Sequence, residues 1–193
     1  MVSQDWTDAS LWCSIGPMSY PQQTKILVSQ GSYHVTDNPE VVLYTPLGSC
    51  VAACLYDPVA KVGGMNHFLL PHPPSNDASS NPALFGVNSM PLLLGAMIDA
   101  GARPSRIRAK LYGGSRLIFG GTNIGLANAL VARDFLERNR VLCLGGISDT
   151  GHGASVSFVA ALGRISGHRF RNDPASPFSQ EGEEAALSGS FRL

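Results

Sequence analysis

Long apolar runs, blocks of like charge and paired cysteine motifs are all missing from this chain, and each absence narrows what it can be. Every apolar run is broken by glycine, proline or charge well short of the roughly 20 residues that a membrane-spanning helix needs. Direct membrane insertion is therefore not expected. Fourteen basic residues balance 14 acidic ones with no basic cluster, which argues against nucleic acid or an anionic lipid surface as the main partner. Four cysteines occur, at positions 13, 50, 54 and 143, and the single Cys-x3-Cys pair has no second half. His72 and His152 do not stand at ligand spacing from that pair, so no metal is expected. Cys50 and Cys54 would share one face of a strand and are poorly placed to bridge each other. Free thiols suit a reducing compartment, and the first dozen residues carry Asp5 and Asp8 without the basic start of a signal peptide. The expected location is the cytoplasm. No Walker Lys-Ser/Thr or Gly-x-Gly-x-x-Gly pattern is present, which leaves GGSRLIFGG, residues 113–121, a weak phosphate loop.

What the chain does have is enough apolar content, 44% of 193 residues, to bury the core of one domain, and 21 glycines and 13 prolines for tight turns. It divides into an N-terminal extension over 1–23, a core over 24–171, and a polar tail over 172–193 whose Pro, Ser, Glu and Gly content predicts disorder. HPPSNDASSNP, residues 72–82, reads as a loop. Met90, Leu93, Leu94, Met97 and Ile98 recur at helical spacing, which predicts a helix over Val87–Gly101 with Pro91 near its first turn and Gly101 as C-cap. A second helix is predicted over Ile124–Arg138, capped by Thr122 or Asn123, with Leu126, Leu130, Val131 and Phe135 as its apolar stripe. Strands are predicted over 107–111, 142–147, 155–161 and 164–170.

The segment from Thr45 to Pro71 carries the most chemistry. TPLGSC places Cys50 after a tight turn, Leu47-Gly48-Ser49, at the head of a strand in which Cys50, Ala52 and Cys54 share a face. Cys54 reads as a small core residue. Asp57-Pro58 ends that strand, Gly63-Gly64 lets the chain return, and Met65–Leu70 reads as an antiparallel partner carrying His67. A cysteine thiol becomes a nucleophile when an imidazole and unpaired backbone N–H groups stabilise its thiolate, and this unit supplies both. On residue chemistry alone a packing cysteine and a structural histidine stand beside that reading, since both types are commonly buried.

Two stretches, GSYHVTDNPEVVLYTPLGSCVAACLYDPVAKVGGMNHFLLP from Gly31 and AKLYGGSRLIFGGTNIGLAN over Ala109–Asn128, resemble the CheD family of chemoreceptor glutamine deamidases. The second holds that family's Lys-x2-Gly-Gly and Asn-Ile-Gly-x-x-Asn segments. The resemblance implies an α/β layered sandwich of mixed, largely antiparallel sheet with two helices packed outside, and a CheD-like catalytic domain over 24–171. It implies a cysteine hydrolase, a protein-glutamine glutaminase, with Cys50 as nucleophile, His67 as base and a threonine as the third catalytic group. Thr45 is the residue chosen; in some relatives the threonine stands one place earlier, where this chain has Tyr44. Backbone N–H groups near Gly48, Ser49 and Cys50 would support the oxyanion, and His67 would hold the thiolate as an ion pair. Glutamate methyl esters would be cleaved by the same route, and no cofactor is needed. The implied partners are methyl-accepting chemoreceptors and a CheC-type phosphatase; the alternative is a non-catalytic regulatory protein that binds either. A peptide-bond cysteine protease is disfavoured, because the signatures of such enzymes are absent around Cys50. The chain departs from the family at Asp149-Thr150-Gly151-His152, where relatives tend to carry a second glycine and then an arginine.

Overall fold

The run Val-Ala-Ala-Cys-Leu-Tyr-Asp forms a strand in which all seven residues are buried. Side chains alternate along a strand, so a continuous apolar run requires cover on both faces. The computed structural model, which describes residues 23–74, 81–116, 118–119, 121–146, 153–169 and 191–192, supplies that cover with three layers.

In chain order the strands of the first half are β1 (Thr24–Leu27), β2 (Ser32–Thr36), β3 (Val41–Leu47), β4 (Val51–Asp57) and β5 (Val62–His67). Helix α1 (Gly86–Asp99), β6 (Arg108–Gly113), a small hairpin of β7 (Ile118–Phe119) and β8 (Thr122–Asn123), and helix α2 (Ile124–Arg138) follow. The chain continues through β9 (Leu142–Cys143), β10 (Ala154–Val159), β11 (Arg164–Arg169) and β12 (Phe191–Arg192). One sheet has the order β1-β3-β10-β11-β12 and the other β2-β5-β4-β6-β9. Among the described strands β1 with β3 and β6 with β9 pair in parallel and the other ladders are antiparallel. This is the mixed, largely antiparallel sandwich that the sequence implied.

The alternation along β4 decides what each layer touches. Val51, Ala53 and Leu55 pack with Met90, Leu93 and Met97 of α1 and Leu136 of α2. Cys50, Ala52, Cys54 and Tyr56 pack instead between the sheets, against Leu43, Leu47, Val156 and Phe158. Each large side chain removed from water in these two cores contributes about 1.5–3 kcal/mol. Asp57 ends the strand with its side chain fully buried. Its Oδ1 accepts from the N–H groups of Val59 (2.9 Å) and Ala60 (3.1 Å), and its Oδ2 from Arg103 N (2.9 Å) and from Arg106 Nε (2.9 Å) and Nη2 (2.7 Å).

Several sequence expectations are corrected. The reversal after β4 lies at Pro58–Lys61, where Lys61 has φ 54°, and Gly63 and Gly64 lie inside β5. Gly63 serves close approach, because a Cβ there would run into the backbone of Ala160. The His67 strand accordingly spans Val62–His67, three residues earlier than predicted. Pro91 is the sixth residue of α1, beyond its first turn, where the N–H it lacks would have bonded the carbonyl of Val87. Ile98 is exposed rather than part of the core stripe. On α2 the buried face is Gly125, Asn128, Ala129, Ala132 and Leu136, while Leu126 and Leu130 face solvent. Small residues let this helix sit close to the sheet, and of its large apolar residues Leu136 is buried in the core and Phe135 packs against it. The strand predicted over 142–147 ends at Cys143, because Gly145 and Gly146 adopt positive φ. His152, most of the 1–23 extension and residues 75–80 of the 72–82 loop lie outside the described residues, as does the tail apart from Phe191–Arg192, which pairs with β11.

Candidate active site

The turn before Cys50 is built by parts of the chain far away in sequence. Gly114 N donates to Cys50 O (2.8 Å) and Ser115 N to Gly48 O (2.9 Å). Gly113, with φ 93°, allows that approach, since a Cβ there would meet the Cys50 carbonyl. The first turn of α2 rests on the same segment, where a Cβ on Gly125 would meet the Ser115 carbonyl. One turn further on, Asn128 Nδ2 donates to both Ser49 O and Leu69 O, each at 2.9 Å. Asn128 therefore ties the turn that precedes Cys50 to the segment that follows His67. Its Oδ1 is buried without a partner. The Gly-Gly and Asn-Ile-Gly-x-x-Asn segments are thus a buttress for Gly48–Cys50 rather than a phosphate loop. The sequence marked Asn128 as part of a motif but gave it no role.

Cys50 and His67 come together through register. Cys54 pairs with Met65 and Val51 with Phe68, which sets Ala52 opposite His67 and leaves Cys50 diagonal to it on the face between the sheets. Thr45 reaches the same space from β3 in the other sheet. It is 1% exposed, whereas Tyr44 beside it points outward at 37%. The Thr45 hydroxyl lies 2.8 Å from His67 Nδ1, and the carbonyl of Val28 lies 3.2 Å from the same nitrogen. A carbonyl only accepts, so Nδ1 carries the proton; the Thr45 oxygen accepts as well and directs its own hydrogen to Pro46 O at 3.4 Å. Nε2 is left as the basic nitrogen, buried and without a partner.

Burial sets the protonation states. It pushes the Cys50 thiol above its ordinary 9.0, despite lowering by its own backbone N–H and by Gln30. Burial also holds His67 below its ordinary 6.5, with the Val28 carbonyl opposing weakly. Both shifts favour a neutral thiol beside a neutral imidazole, and Cys50 Sγ accepts its hydrogen bond from Gln30 Nε2 at 3.6 Å. The ion pair expected from the sequence would have to overcome that burial cost through the attraction between its two charges, whereas a neutral pair avoids it. Such a pair can still act: the thiol gives its proton to Nε2 as it attacks, and the charge then develops on substrate and imidazole together. Cys54 is fully buried, its thiol pushed up by burial, as expected of a core residue. Cys50, Cys54 and Cys143 are all free thiols. Among the described residues no cluster of His, Cys, Asp or Glu could hold a metal, and no helix is long and apolar enough to cross a membrane.

Comparison with known proteins adds an independent line. Residues 69–167, just over half of the chain, match the family model described as CheD chemotactic sensory transduction; the matched span begins two residues after His67. A protein of Agrobacterium fabrum named "Probable chemoreceptor glutamine deamidase CheD" is 40% identical over 144 residues, covering 75% of this chain and 79% of that one. Proteins of the same name from Rhizobium rhizogenes (44% over 141 residues; 72% and 77%) and Zymomonas mobilis (44% over 144 residues; 72% and 76%) are similar to the same degree. A crystal structure of a Neisseria meningitidis protein aligns at a TM-score of 0.44 and 14% identity over 65% of this chain and 64% of that one, too distant to bear on function.

Proposed function

The chain belongs to the CheD family of chemotactic sensory transduction proteins, and from that premise we propose that it hydrolyses the side-chain amides of glutamines in chemoreceptors, with Cys50 as nucleophile, His67 as acid-base and Thr45 as the group that orients the imidazole. The observation that carries this reading is the pair of contacts on His67 Nδ1, from Thr45 and Val28, which leaves Nε2 bare on the face that also holds Cys50.

The chemistry follows from those positions. The Cys50 thiol loses its proton to His67 Nε2 while its sulfur adds to the amide carbon, giving a tetrahedral oxyanion. His67 returns the proton to the departing nitrogen, ammonia leaves, and a thioester remains. Water then gives a proton to Nε2 as its oxygen adds to the thioester carbon, and the sulfur departs and recovers the proton. The product is glutamate. A glutamate methyl ester would follow the same course, with methanol leaving in place of ammonia. Neither step needs a metal or an organic cofactor. The free thiols of Cys50, Cys54 and Cys143 suit a reducing compartment, and we place the protein in the cytoplasm.

A regulatory reading, binding to chemoreceptors or to a CheC-type phosphatase without chemistry, has one observation in its favour. Leu126 and Leu130, one turn apart on α2, are 49% and 55% exposed, the kind of apolar pair that a protein partner covers. Intact mass and peptide mass spectrometry of a chemoreceptor cytoplasmic fragment separates the two. The expected result is a gain of about 1 Da per modified glutamine with wild-type protein and none with Cys50→Ala or His67→Ala. Modification by Cys50→Ala would end the mechanism, and binding without any mass change would favour the regulatory reading.

A further inference from the structure

A glutamine of this chain stands at the nucleophile. Gln30 lies in the turn between β1 and β2, its side-chain nitrogen 3.6 Å from Cys50 Sγ. That turn is pinned to the site: Gly31 N donates to His67 O at 2.7 Å, and Asn81 Nδ2 donates to Gly31 O at 2.9 Å. Gly31 has φ 71°, and a Cβ there would collide with Asn81 and Leu84, so the backbone carrying Gln30 has little room to move. The Gln30 side chain itself reaches Cys50 from the solvent side, since Gln30 is exposed and Cys50 is 7% exposed.

We propose that Gln30 is a catalytic residue of this site, whose side-chain N–H donates to the oxyanion formed when Cys50 attacks the substrate amide. The inference rests on the deamidase reading above. In the tetrahedral intermediate the substrate oxygen is one C–O and one C–S bond away from the sulfur. A donor that already reaches Sγ is placed to transfer its hydrogen bond to that oxygen as negative charge moves there. The backbone N–H of Cys50 itself, adjoining the sulfur, is the second donor that the proposal assigns. Two donors, one from the nucleophile's own backbone and one from a side-chain amide, make an oxyanion pocket with no bound ion. This differs from the sequence expectation in its partner, because backbone N–H groups of Gly48–Cys50 were assigned the role and Gln30 was not singled out. An alternative use of the same contact is a cover that mimics substrate and must swing away. The atom that bonds the sulfur is the amide nitrogen, a donor, whereas a mimic would present its carbonyl carbon.

The test compares wild-type, Gln30→Ala, Gln30→Glu and Cys50→Ala proteins for ammonia release from a chemoreceptor fragment, with kcat and KM resolved and folding checked by circular dichroism. Loss of a donor to the oxyanion lowers kcat by about 100-fold with KM changed less than about threefold. Gln30→Glu, of the same size but with an acceptor at the donor position, falls at least as far. A kcat in either variant equal to or above wild type overturns the proposal, a rise in Gln30→Ala favouring the cover. So does a loss confined to KM. Wild-type protein that releases no ammonia while Cys50 still reacts with iodoacetamide fails the deamidase reading itself and this inference with it; normal wild-type turnover with an unaffected Gln30→Ala fails the inference alone.

Discussion

At His67 one nitrogen is shared by a carbonyl and a hydroxyl, and the two partners are not equivalent. The Val28 carbonyl alone fixes the tautomer, while Thr45 adds a second acceptor that limits rotation of the ring. Thr45→Val keeps the shape and removes only the oxygen, so kcat for ammonia release should fall about 10-fold rather than vanish, and Thr45→Ser should keep most of it. Equal loss in Thr45→Ser would assign the effect to packing. Protonation gives a second expectation. With His67 held below 6.5 and Cys50 above 9.0, a neutral pair persists across that whole range, so kcat/KM should stay flat from pH 6.5 to 9, falling only at lower pH as His67 protonates and at higher pH as Cys50 ionises. The choice between Thr45 and Tyr44 was open in the sequence because a strand in isolation does not say which face is buried. Pairing of β3 with β10 puts Thr45 on the inner face, opposite Val156, which is also buried between the sheets.

Helix α2 and the Gly113–Ser115 segment act as one support for the nucleophile turn. Asn128→Ala would leave the carbonyls of Ser49 and Leu69 without their donor in a buried place. The expected result is a loss of about 1–3 kcal/mol in urea unfolding, accompanied by reduced kcat as the Cys50 turn loosens. Gly125→Ala drives a methyl toward the Ser115 carbonyl and should cost about as much through overpacking. If both variants match wild type in stability and turnover, the support has no function. The existence of both helices was legible from their periodicity and caps: Asn123 Oδ1 does accept from Leu126 N, at 3.3 Å. Their packing faces were less so. Leu126 and Leu130 advertise an apolar stripe, but the buried face is made by Gly125, Asn128, Ala129, Ala132 and Leu136, and closeness of approach leaves no mark in a hydrophobicity pattern. Gly63 deceived for the same reason, since a glycine that admits a neighbouring backbone looks in sequence like a glycine that makes a turn. The buttress itself joins residues about 80 positions apart, which no local pattern reveals.

Across the whole molecule, stability should depend on pH at two ends. Desolvation would raise the Asp57 carboxyl, but Arg106 and the N–H groups of Arg103, Ala60 and Val59 outweigh it and lower it to about 2 from 3.8. A carboxylate depressed on folding stabilises above its unfolded value, so about 2 kcal/mol should be lost as pH falls from about 3.8 toward 2. His67, also depressed, contributes fully above 6.5 and loses its share as pH falls below that; Cys50, raised, loses its share as pH climbs past 9.0. Asp57→Ala should cost about 3–5 kcal/mol at neutral pH and flatten the acid limb, as urea unfolding at pH 3 and 7 would register. The sandwich was legible through the family resemblance; the burial of β4 on both faces, and which strands cover it, follow from long-range pairing. One consequence concerns heat. Cys50 and His67 belong to one sheet and Thr45 to the other, so the hydroxyl that steadies the imidazole crosses the seam of the sandwich. A slight separation of the layers would disarm the enzyme while every strand stayed paired, and thermal inactivation should therefore run ahead of melting. Side chains packed at that seam, such as Phe158, should then affect turnover from a distance when they are made smaller.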